Sequence, residues 1–192
     1  MANADAPRGF APRSSNGLPW CGQVNEYFID GGSDATATFI GDLVKLSGSA
    51  ETDGTPHVEQ AAATNAVVGV VVGFRPDPDN QTRNWRVAST DRYVLVADDP
   101  NQVFEAQEDS DGAALAVTDT SNNINVIVGS GSTTTGLSGM ELDSSSVNTT
   151  ATLPIKLLRM INREDNAIGN QAQWLVKINN HQYGSHTGTA GV

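Results

Sequence analysis

Ala66-Val67-Val68-Gly69-Val70-Val71-Val72-Gly73-Phe74, closed by Arg75-Pro76-Asp77-Pro78, is the stretch that decides the fold class. Valine's branched Cβ restricts χ1 and suits a pleated strand. A run this short, bounded by Gly and Pro, reads as a strand with little water on either face. Each fully buried Val contributes about 1.5–3 kcal/mol, so the core is expected here. Gly69 and Gly73 mark places where the strand bulges or a second backbone comes close. The run carries no reactive side chain, and it points to a β scaffold.

Working outward, turn signals separate further short extended segments. Val24 to Ile29 ends at Asp30-Gly31-Gly32-Ser33, and Ala37 to Leu46 alternates around Gly41-Asp42 as two strands or one bulged strand. Ser47 to Pro56 is expected as loop, and the alanines of Val58 to Asn65 favour a short helical turn. Beyond the valine run, Arg75 to Arg83 is loop and Arg92 to Ala97 a strand. Val103 to Glu108 alternates as a half-exposed strand, with Glu105 and Gln107 outward. Ala113 to Val117 and Ile124 to Val128 add β candidates, and Leu153 to Ile161 with Trp174 to Asn179 form a closing strand pair. Gly129 to Thr150, rich in Gly, Ser and Thr, is expected as a long flexible loop with one short ordered piece.

The chain of 192 residues is 38% hydrophobic with 19 Gly, which favours many turns and short strands over helix. The fold expected is all-β, a barrel or sandwich (jelly-roll-like) body over residues 23–179. An extended N-terminal arm (1–22) and an irregular C-terminal tail (180–192) flank it. The formal net charge of -11 repels phosphate backbones and anionic headgroups, so neither nucleic acid nor membrane is an expected partner. A single cysteine, Cys21, excludes an intrachain disulfide, and no basic-then-apolar leader is visible, so synthesis in the cytoplasm without export is expected.

The arm holds Pro7, Pro12 and Pro19, which disfavour a helix or central strand, yet also Phe10, Leu18 and Trp20, which a free tail lacks. It either packs on its own domain or lies across a neighbouring subunit. The tail from Asn180, with His181 and Tyr183, is expected to fray.

Patterns that carry chemistry are weak. Glu108-Asp109-Ser110-Asp111-Gly112 resembles part of a calcium loop, but the first ligand position falls on Gln107 and no bidentate Glu follows. A turn is the expectation, with no metal and no cofactor. Gly129-Ser130-Gly131-Ser132 lacks the lysine of a phosphate loop, and His57, His181 and His186 are scattered without a nucleophile elbow, so no enzyme is expected. Trp85, set between arginines, is read as a rim residue under Arg stems, with a sugar-binding platform as the alternative.

Several strings carry a family likeness: Pro7-Arg8-Gly9-Phe10-Ala11-Pro12, Leu18-Pro19-Trp20-Cys21-Gly22-Gln23, Phe39-Ile40-Gly41-Asp42-Leu43-Val44-Lys45-Leu46, the valine run, and Tyr93-Val94-Leu95-Val96-Ala97-Asp98-Asp99-Pro100. Together they resemble the auxiliary capsid (cement or decoration) proteins of tailed bacteriophages, over most of the chain and in texture rather than by a catalytic signature. The resemblance implies a virion structural protein on the outer capsid surface, bound to the major capsid protein as a homo-oligomer, trimer before dimer, at local symmetry axes. Phe10, Pro12, Leu18, Trp20, His181 and Tyr183 are then the residues expected to touch the capsid or a neighbouring subunit. A glycan-binding or host-attachment module of the virion is the alternative.

Overall fold

The computed structural model describes residues 3–111, 113–184 and 187–191. His186 and Gly112 of the expected Asp-Gly turn lie outside them. Among the described residues there are twelve strands and a single 3-10 turn at Val117–Asp119, so the body is all-β as the composition implies.

Five strands close a barrel in the order β3 (Asn25–Ile29), β5 (Pro56–Gln60), β4 (Leu43–Ala50), β6 (Gly69–Phe74), β7 (Arg92–Ala97). Beside it lies a seven-stranded sheet in the order β10 (Glu141–Asn148), β9 (Asn123–Ile127), β11 (Ile155–Met160), β12 (Gln173–Ile178), β8 (Gln102–Gln107), β1 (Ala11–Ser15), β2 (Leu18–Pro19). The valine run is the seam between the two. Val71 joins Tyr27, Ile29, Val44, Val58, Val94 and Val96 inside the barrel, while Val70 joins Leu43, Phe104, Trp174 and their neighbours in the sheet's core. The strand is therefore buried on both faces as far as Val71, and half-buried from Val72 to Phe74. A Cβ on Gly69 would strike the Ala97 carbonyl, and the register against β7 shifts between Val71 and Gly73.

Several local expectations are corrected, each by a tertiary contact. Val58 is in strand β5, not a helical turn, because β4 and the parallel β3 both pair with that segment. Strand β4 runs on to Ala50, into the stretch read as loop. Ala113 to Ala116 forms no strand. Gly129 to Thr150 is ordered. Gly129 packs backbone to backbone on Gly139, Ile40 donates to the Gly136 carbonyl at 3.0 Å, and Glu141–Asn148 is an edge strand paired with β9. Its glycines serve close approach, not mobility.

Strand β8 is not half-exposed, since Glu105 and Gln107 are as buried as Phe104 and Ala106. The N-terminal segment covers them: Arg8 and Arg13 pair with Glu105, Arg163 adds a third contact at 3.2 Å, and Gln107 bonds the backbone at Ala4 and Ala6.

The expected arm is thus part of the body. Phe10 is 1% exposed in the sheet's core, and β1 pairs along β8 with a register shift after Pro12, the position where a strand tolerates a residue without an N–H. The described tail is likewise stitched down. His181 bridges Val67, the Leu46 amide donates to Gln182 Oε1 at 2.7 Å, and the Gly191 amide donates to Thr149 O at 2.9 Å. No helix among the described residues is long and apolar enough to cross a membrane.

Candidate interaction surface

Three turns meet where the barrel joins the sheet edge. The first is the β1–β2 hairpin. Asn16 and Gly17 have φ of 50° and 81°, the paired positive values of a tight hairpin turn, and Asn-Gly is the dipeptide that adopts them most readily. The Trp20 amide donates to Arg13 O at 3.0 Å, and Gln102 Nε2 donates to Ser14 O at 3.0 Å. The second is the turn after β7. There Asp99 accepts from Ser15 Oγ and from the Asn101 amide, contacts that hold its carboxyl below the usual range. Asp98 accepts from Tyr27 Oη at 2.6 Å and from Asn25. The third is the C-terminal turn, where the Tyr183 amide donates to His181 Nδ1 at 3.1 Å and Gly184 packs on Pro100.

An accepting Nδ1 carries no proton, so neutral His181 is protonated on Nε2. Burial holds its pKa below the usual histidine value against the pull of Asp98 and Asp99. Tyr27 is pushed up, first by burial and then by Asp98 and the Tyr183 hydroxyl. A groove of about 620 Å³ at the second and third turns is lined by Gln23, Val24, Asn25, Asp98, Asp99, Pro100 and Tyr183. Trp20 lines a separate apolar recess of about 280 Å³, bordered also by Phe10, Pro12, Ile40, Val71 and Leu137.

The six residues singled out in the sequence fall into three groups. Leu18 is 70% and Tyr183 50% exposed, and both are free to touch another molecule. Pro12 and Trp20 are half-buried at the mouth of the recess. Phe10 and His181, the latter 2% exposed, are enclosed by their own chain and are withdrawn as outside contacts in this fold. The sequence signal that places Leu18 is Asn16-Gly17, a hairpin cue overshadowed by the flanking prolines.

Other residues weighed for chemistry are dispersed. His57 pairs with Glu51 at 3.0 Å and sits level with Phe28 and Tyr93. That is five residues of β7, roughly 16 Å, from Asp98. Trp85 stacks on Phe39 with ring centroids 5.4 Å apart, and Arg83 lies over it. Buried Arg86 donates to the carbonyls of Asp34, Thr36 and Thr90, binding two loops together. Comparison of the chain with family models, curated proteins and solved structures found no match.

Proposed function

We propose that the protein is a tailed-bacteriophage virion structural protein, a cement or decoration protein that binds the outer face of the major capsid protein lattice and stabilises the mature shell. One observation carries this reading: a hydrogen-bonded hairpin, anchored through Arg13 and Ser15 to the body, holds Leu18 70% exposed. A leucine so placed stabilises little in its own chain and contributes about 1.5–3 kcal/mol when a partner covers it. Pro19 beside it removes an edge N–H, which blunts unspecific strand addition. The acidic groove around Asp98 and Asp99 and the net charge of -11 suit a basic patch on the partner. Homo-oligomers, trimers before dimers, at local symmetry axes would present the hairpin repeatedly and multiply a modest single contact. Synthesis belongs to the bacterial host cytoplasm, and the chemistry asks for no cofactor.

The glycan-binding alternative rests on Trp85, whose ring is engaged by Phe39 and Arg83. Co-sedimentation with shells assembled from major capsid protein alone tests the proposal. Saturable binding that Leu18→Asp weakens at least tenfold supports it, and no binding by the folded wild type refutes it for that shell. A glycan screen in which Trp85→Ala abolishes a signal would favour the alternative.

A further inference from the structure

We propose that the carboxylates of Asp109, Asp111 and Asp143 bind a hard divalent cation, calcium by their chemistry, which ties the segment after β8 to strand β10. Each offers an oxygen, and the three oxygens lie within 4.8 Å of one another. Three points so spaced can surround a centre at no more than about 2.8 Å from each, close to the ~2.3–2.6 Å of calcium–oxygen bonds. The scaffold is built from both sides, since the Asp109 amide donates to Leu142 O at 3.0 Å and Glu108 bridges Leu142.

A second observation points to a ligand. Asp109 is 5% exposed, and its Oδ1 accepts from the Ser144 amide at 3.0 Å and Ser144 Oγ at 2.7 Å. Its Oδ2 is buried with no hydrogen-bond partner, which leaves that oxygen for the cluster. A buried carboxylate oxygen that nothing donates to is costly, and the carboxylates beside it are anions themselves.

The surroundings are acidic as well, with Glu108 and Glu141 flanking the three aspartates along the chain. All three groups are oxygen donors, Asp111 is exposed, and that open side admits water ligands, a combination that fits calcium over zinc. The local motif Glu108-Asp109-Ser110-Asp111 lacks a ligand downstream in its own loop, and Asp143 supplies one from β10.

Thermal unfolding of the full chain in chelator and in about 5 mM calcium chloride tests the site, with Asp111→Asn and the exposed control Asp79→Asn beside the wild type. Asp111 is exposed, so its variant folds. Calcium should raise the melting temperature of the wild type and the control by about 2–4 °C. Asp111→Asn should melt above the wild type in chelator, because a like charge is gone, and should lose most of the calcium response. No shift of the wild type, or an equal shift in Asp111→Asn, overturns the site.

Discussion

Phe10 and Leu18 are large apolar residues of one short N-terminal segment, and they do opposite things. Phe10 is 1% exposed and packs with Phe104, Trp174 and Met140 in the sheet's core, whereas Leu18 is 70% exposed at the tip of a hairpin. Glu105 lies between these roles. Buried in β8, it pairs with Arg8 and Arg13 on either side of Phe10, pinning the first half of the segment so that the second half projects as a rigid unit. Order in the segment therefore does not separate core from contact surface. Exposure does, and within this segment Leu18 is the large apolar residue left open to a partner.

The comparison breaks most sharply on Phe10→Ala, which should cost about 3–5 kcal/mol by opening a core cavity. In urea unfolding, Leu18→Ala should stay within about 0.5 kcal/mol of the wild type. Equal losses at both positions would erase the distinction. For the same reason deletion of the first twenty residues is a poor probe of attachment, since it removes β1 and Phe10 along with the hairpin.

Glu105→Gln comes next. It leaves three guanidinium groups facing a neutral amide, but their side chains are 33–47% exposed and turn to water. A loss of about 1–3 kcal/mol is expected from the same unfolding measurement. Gly17→Val should cost about 1 kcal/mol, because φ of 81° is strained for a side chain, and should weaken shell binding by misplacing Leu18. Unchanged shell affinity in that variant would mean that hairpin geometry is not what the partner reads.

The smallest effect is on pH. Glu108 and Glu141 have folded pKa values raised to about 7 from an ordinary 4.5, so the folded state holds protons that the unfolded state has released. Their contribution is complete below pH 4.5 and is lost as pH rises through 7. His181, lowered from 6.5, acts oppositely, and its contribution falls away as pH drops below that value. With two carboxyls against one imidazole, the melting temperature should decline from pH 5.5 to 8. Glu141→Gln should flatten the decline and leave the uncharged Leu18 contact untouched. A slope unchanged by that variant would contradict the assignment.

Much of the scaffold was legible. Arg92–Ala97 is a strand to the residue, and the valine run is buried on both faces through Val71, as its apolarity implies, while its end from Val72 is half-buried. What failed were inferences from local composition where distant contacts decide. The alternation of Val103 to Glu108 implied a wet face, but N-terminal residues 97 and 101 positions earlier in the chain cover Glu105 and Gln107. Prolines implied an extended arm without a regular strand and left its packing, on its own domain or on a neighbour, open, whereas a bulge accommodates Pro12 in β1 and Asn16-Gly17 closes a hairpin on the chain's own body. Glycines implied a flexible loop where backbones pack at Gly129 and Gly139. Leu18 and Tyr183 were visible as apolar residues in polar stretches, while burial of Phe10 and His181 depends on the rest of the fold.

The most direct test of the account is the melting temperature of the capsid shell itself, with the wild type or with Leu18→Asp added at saturating concentration. The account predicts that the wild type raises the shell's melting temperature and that folded Leu18→Asp, at the same concentration, raises it far less. An equal rise with both proteins, or none with the wild type, would contradict it.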